Sequence, residues 1–242
     1  MGKKLVLIVI IICYSIIGLS VDNFGYSVRS ICKNKFIRNS DFENFNPSVP
    51  KIKKKCVYSS DYKFGEPSIE KKLIYMATYD ENGYEIEETN YSEDGSSTVS
   101  QFKKDKLGRI SEIIRYNSDG KPDAKAIVKY NSENKRISDQ WKYFNLSNSC
   151  QTEYLYNKEG KVSFFLQKDE NGKVISKIRY VYGQSGNRII AETYSKNSLS
   201  EALNFEDKMI YSHDLNGNFV FAIEYDDKNL PTKKYTYIYE YY

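Results

Sequence analysis

His213 is the only histidine among 242 residues, so any Ser-His-Asp or Cys-His nucleophile would have to be built around it. It stands at an expected turn, His213-Asp214-Leu215-Asn216-Gly217, where an imidazole is ordinarily just solvated. The oxygen-bearing stretch Asp214-Leu215-Asn216-Gly217-Asn218 lacks the spaced ligands and distal Glu of a calcium loop. No glycine-rich phosphate loop is present, and the cysteine spacings fit no zinc pattern. The residues name no catalytic group, no metal ligand and no cofactor. What remains with binding chemistry is aromatic. Tyr235, Tyr237, Tyr239 and Tyr241 alternate along one strand, and Trp141 with Tyr143 along another. Exposed, such rings stack on sugars or anchor proteins; packed, they cover a thin sheet while their hydroxyls stay wet. An unknown protein or carbohydrate is therefore the expected partner.

The elements that carry these rings are legible as a repeat. Turns ending at Gly83, Gly108, Asn134, Gly160 and Gly186 follow at steps of 25, 26, 26 and 26 residues, and Gly217 follows after 31. A second series ends at Gly95, Gly120, Gly172 and Asn229, with degenerate copies expected near Leu146 and Ser198. Each unit is thus two strands and two turns. An Asp or Asn opens most turns and accepts a backbone hydrogen bond; the closing Gly or Asn tolerates the positive φ of a type I turn with a bulge. Between turns apolar residues alternate with period two, grouping Ile110, Ile114 and Tyr116, then Val162, Phe164 and Leu166, then Phe219, Phe221, Ile223 and Tyr225 on one face. Connections this short join antiparallel neighbours. The expected fold is all-β, an antiparallel meander of repeated hairpins forming an open twisted or curled, solenoid-like sheet, with the last strand as a free edge.

Before the repeat the chain reads differently. Lys3 and Lys4 precede the apolar run Leu5–Leu19, and Gly18-Leu19-Ser20 has the small residues of a cleavage site, so residues 1–20 read as a signal peptide. Cys13 within it follows Ile12 rather than a small residue, which argues against a lipid anchor. Residues 21–50 read as an irregular lead-in, and 51–242 as the hairpin domain. Export places the protein outside the cytoplasm, secreted or in the cell envelope, on a membrane only if the N-terminal segment is retained. Without Lys3 and Lys4 the formal charge falls from +4 to +2, too little to point to nucleic acid. Cys32, Cys56 and Cys150 remain, an odd number in a compartment that permits disulfides, with Cys32 and Cys56 as the candidate pair.

Asp105-Lys106-Leu107-Gly108-Arg109-Ile110 resembles the core of the YD-repeat (RHS-like) motif, in which Tyr-x-Tyr-Asp is followed by two spacers, Gly, Arg and an aliphatic residue. Tyr79-Asp80-Glu81-Asn82-Gly83 is similar to its first half, and Tyr156-Asn157-Lys158-Glu159-Gly160-Lys161-Val162 repeats it with Asn and Lys substituted. Lys104 and Gly183 depart from it. Over residues 72–232 the resemblance implies a β-sheet fold and not an activity; with its leader the chain would be a short exported member, too short to enclose the toxin domain that large members surround. A looser likeness, Asn134-Lys135-Arg136 before Trp141-Lys142-Tyr143-Phe144, is to antitoxin-type repeats. The expected function is a non-enzymatic envelope or secreted repeat module that binds or supports; an immunity or antitoxin-like protein is the alternative, and a hydrolase would need carboxylates converging in a cleft.

Overall fold

The computed structural model describes residues 51–145, 149–196 and 202–242. The signal segment, the lead-in, Cys13, Cys32 and the turns expected at Leu146 and Ser198 lie outside these residues.

The described chain is all strand and turn: β1 (Ile52–Lys63), β2 (Glu66–Pro67), β3 (Lys72–Tyr79), β4 (Glu85–Tyr91), β5 (Ser97–Lys104), β6 (Ile110–Tyr116), β7 (Pro122–Tyr130) and β8 (Arg136–Tyr143). After these come β9 (Ser149–Tyr156), β10 (Val162–Lys168), β11 (Val174–Tyr182), β12 (Arg188–Lys196), β13 (Leu203–His213), β14 (Phe219–Tyr225) and β15 (Pro231–Tyr241). Each strand pairs antiparallel with its neighbours in sequence, as the short turns require, except that β3 pairs with β1 rather than with the two-residue β2.

The sheet does not stay open. β15 pairs along its length with β1, from Ile52↔Tyr241 to Asp61↔Lys233, so fourteen strands close into a barrel with β2 as an appendage. This corrects the expectation of an open, solenoid-like meander with a free last strand. Local turn chemistry carries no information on closure, whereas two unpaired edges left in water would each expose a row of N–H and C=O groups that pairing satisfies.

The turns have the expected chemistry. Asp80 Oδ1 accepts from the amides of Asn82 and Tyr84 at 3.0 and 2.9 Å, and the same i+2, i+4 pattern recurs at Asp105, Asn131, Asn157 and Asp214. Asn134 and Asn229 take φ 61° and 62°, replacing the glycine of their series. Gly95 has φ +85° with open space where a Cβ would stand. Gly95→Val therefore acts through the backbone alone and is expected to cost about 1–2 kcal/mol, a fall in Tm of about 2–8 °C in a thermal melt.

Bulges alter which residues share a face. A register shift follows each turn of the first series, as between Val162 and Phe164 against β9 and between Ser212 and His213 against β14. Val162 and Phe219 are buried, while Phe164 and Phe221 fall on the opposite, outer face. The faces read from strict alternation therefore switch sides at the bulge, which inserts one residue the period-two rule does not count.

The residues that made the YD-like motif legible have a local structural role. The Arg109 guanidinium lies 4.4 Å from the Tyr130 ring centroid, Lys135 Nζ 5.6 Å from Tyr156, and Lys161 Nζ 5.4 Å from Tyr182. The same tyrosines donate to the carbonyls of Ile110, Arg136 and Val162 at 2.9, 2.6 and 2.8 Å. Each cation after a turn thus stacks on the tyrosine of the next unit, and that tyrosine ties down the bulge behind it. A Tyr, a turn and a Gly-Arg or Gly-Lys step are what this rim needs, whether the array is open or closed.

Candidate functional site

Alternation gives every strand one buried face, and on that face the barrel places both its apolar residues and an unusual share of its polar ones. Val57, Ile113, Ile178 and Met209 lie there beside Lys55, Glu85, Glu88, Arg136, Asp139, Arg188 and Asp207, all nearly or fully buried.

Three clusters hold most of these charges. On β8, Arg136 Nε and Nη2 donate to the two oxygens of Asp139 at 2.6 and 2.5 Å, and the Tyr154 hydroxyl of β9 donates to Asp139 Oδ2 at 2.6 Å. A two-pronged guanidinium–carboxylate pair with a third donor is the geometry in which a buried ion pair recovers its desolvation cost. Near the closure seam the Tyr75 hydroxyl lies within 3.1 Å of Glu85 and 3.4 Å of Glu88, with Lys55 Nζ 5.2 Å from the Tyr75 ring. On the β11–β14 arc, the Arg188 guanidinium lies 4.5, 5.8 and 5.6 Å from the rings of Tyr180, Tyr211 and Phe219. Burial holds the hydroxyls of Tyr180 and Tyr237 protonated well above the ordinary tyrosine range; for Tyr235 burial is joined by the Glu224 carboxylate, to which it donates.

His213 ends β13 with its ring 4.7 Å from Phe219. Burial, reinforced by the nearby Arg188 charge, pushes its pKa below the ordinary value, against a smaller opposing effect of Asp214. The unfolded imidazole therefore takes up its proton first, and stability is expected to fall as pH drops below about 6.5. His213→Phe should flatten that part of a Tm-against-pH curve between neutrality and pH 5, and an unchanged slope would show that other groups set it.

The six aromatic residues singled out from the sequence fall in two places. Trp141 and Tyr143 are buried on β8, and Tyr235 and Tyr237 are buried on β15, with β9 to β14 between the two pairs. Tyr239 is half-buried, and Tyr241, its ring 6.3 Å away, keeps 39% of its surface exposed at the end of the seam. Tyr143 and Gln167 both approach the Cys150 sulfur at 3.7 Å, and burial raises that thiol's pKa. Cys56, the expected partner of Cys32, carries a free thiol on the outer side of β1. Sequence reasoning missed the buried ions; the one available signal was Arg136, Arg188 and Glu85 standing two residues after a turn's closing Gly or Asn, the position at which Ile110, Val162 and Phe219 also turn inward.

The outer wall is of a different character. Lys103 and Lys125 both reach Glu112 across β5, β6 and β7 at 2.8 and 2.5 Å, Lys168 reaches Glu153 at 2.6 Å, and Arg179 grips Glu192 through two hydrogen bonds at 2.7 and 2.9 Å. Lys125, Lys177, Arg179 and Lys208 sit in the middle of their strands. Aliphatic side chains such as Ile127, Leu155 and Ile210 lie between them, each more than a third exposed. Among the described residues, no group of three or more His, Cys, Asp or Glu could hold a metal ion.

No protein-family model matches the chain, and no curated protein matches it. Solved structures similar to it include a porin-like protein from Bacteroides uniformis (TM-score 0.43, 10% identity, 79% of this chain and 99% of that one). A porin-like protein from Bacteroides vulgatus gives a TM-score of 0.39 at 13% identity over 79% of this chain and 99% of that one. The TcdB2-TccC3-Cdc42 structure gives 0.32 at 13% identity, over 74% of this chain and 11% of that one. With TM-scores below 0.5, these likenesses bear on neither the mechanism nor the partners of this chain. The resemblance to the YD-repeat family is corrected here: no model of any family matches, and the hairpins close into a barrel instead of extending as a repeat array.

Proposed function

We propose that the chain is an exported, non-catalytic β-barrel of the cell envelope that works in its aqueous space, as a rigid closed scaffold rather than as a pore through the bilayer. This replaces the open repeat module expected from the sequence. The observation that carries the reading is the outer wall. A membrane barrel needs an uninterrupted apolar band about 25 Å tall, and each Lys or Arg at its midplane costs about 2–4 kcal/mol. Four such cations in mid-strand would together rival the whole stability of an ordinary domain, about 5–15 kcal/mol. Lys125 pairs with Glu112 and Arg179 with Glu192, an arrangement at home in water. Strand length agrees: β4, β6, β10 and β14 have 7 residues, short of the roughly 9–11 a spanning strand needs. The apolar leader supports export.

The test is flotation. Protein lacking residues 1–20 should stay at the bottom of a density gradient with phosphatidylcholine–phosphatidylglycerol vesicles, dissolve without detergent, and give no conductance in a planar bilayer. Flotation with vesicles together with stepwise conductance would overturn the reading.

A further inference from the structure

The hairpin between β1 and β3 projects from the barrel. Pairing of β1 with β15 stops at Asp61 and with β3 at Ser59, so Tyr62 and Lys63 are flanked only by Glu66 and Pro67 of β2. At the tip, Phe64 and Gly65 both have positive φ, 56° and 85°, as a two-residue loop between twisted strands requires. Gly65 adopts that conformation freely, but a phenylalanine there is strained, and Asn is the residue that suits the position. The ring receives nothing in return within the barrel: Phe64 is fully exposed, as is Ile69 on the way into β3. Leu230, 58% exposed, stands at the same end on the turn before β15. A strained aromatic that packs against none of the described residues is what a docking element looks like before its partner arrives.

Charge indicates what kind of partner. Around the tip, Lys72 and Lys233 are both engaged by Glu93, one through its carbonyl and one through its carboxylate. The carbonyl leaves the charge of Lys72 in place, so Asp61, Glu66, Glu70, Asp94, Asp226 and Asp227 stand against Lys63, Lys71, Lys72 and Lys228. An acidic surround repels an anionic bilayer and complements a cationic rim.

We propose that the β1–β3 hairpin is a docking knob, and that Phe64 and Ile69 enter an apolar pocket of an envelope protein whose rim is basic. The inference is independent of whether the outer wall faces water.

Two measurements decide it. First, Phe64→Asn in the full-length protein should raise Tm by about 2–4 °C, because the strain is relieved and no packing is lost; a lower Tm would mean that Phe64 serves the fold, and would overturn the proposal. Second, benzoyl-phenylalanine is placed at position 64 and, as a control, at Leu215, an equally exposed tip at the other end of the barrel. Illumination of intact envelopes should give a discrete protein adduct at position 64 alone. The adduct's protein, purified, should bind the barrel in a salt-sensitive manner, with affinity reduced about tenfold by Phe64→Asn. Identical adducts at both positions, adducts to lipid, no adduct, or unchanged affinity would each overturn it.

Discussion

Removing residues 233–242 is expected to abolish the cooperative unfolding transition of the whole barrel, not only to shorten it. Those residues supply all of the pairing of β15 with β1, from Ile52↔Tyr241 to Asp61↔Lys233, together with the bond from the Tyr242 hydroxyl to the Tyr79 carbonyl at 2.5 Å. Their loss leaves β1 and β14 as bare edges and exposes the buried faces of Val57 and Tyr75 to water. Circular dichroism and calorimetry of the truncated chain should show a broad, non-cooperative melt and aggregation. Were β15 merely the last strand of an open meander, the same truncation would lower Tm modestly and leave one sharp transition, because hairpins further along the array would keep their neighbours.

Asp139→Ala is the second large effect. It removes the carboxylate that accepts from both Arg136 and Tyr154, in a pair whose side chains are only 3% and 4% exposed. The Arg136 guanidinium then stays buried without its counter-charge, a change that costs about 3–5 kcal/mol. For a chain of this size the equivalent fall in Tm is of order 10 °C. Asp139→Ala combined with Arg136→Met should recover much of the loss, since removing both charges abolishes the desolvation cost that makes the single substitution so damaging. A double variant no more stable than the single one would show that the pair is not the source of the effect. By contrast, Arg179→Ala on the outer wall, where the guanidinium is 46% exposed, should change stability by no more than about 1 kcal/mol.

The contrast between these residues also shows what was legible before the structure. Turn positions could be read because Asp80, Asp105 and Asn157 act on amides two and four residues away, a purely local interaction. The rim tyrosines were legible as a period for a related reason: Arg109 and Tyr130 meet because consecutive units are neighbours in space. Closure was not legible, because Cys56↔Ile238 is a contact between the two ends of the array and nothing in either strand encodes it. The same blindness affected Trp141, Tyr143, Tyr235 and Tyr237. On an open sheet either face could have carried them outward, whereas in a barrel one face is enclosed, and they lie on it. Arg136 and Asp139 were not singled out for want of a rule that places inside the residue two after the turn's closing Asn, and the residue that follows the bulge on the same face.

The central claim is that the strands close through β1 and β15 in a barrel that stands in water. Backbone amide hydrogen exchange of the chain without residues 1–20, in detergent-free buffer, tests it most directly. Protection across Lys54–Asp61 and Lys233–Glu240 equal to that of the interior strands β7 and β8 is the predicted result. Rapid exchange confined to β15 and the free side of β1, or a need for detergent to keep the chain in solution, would contradict it.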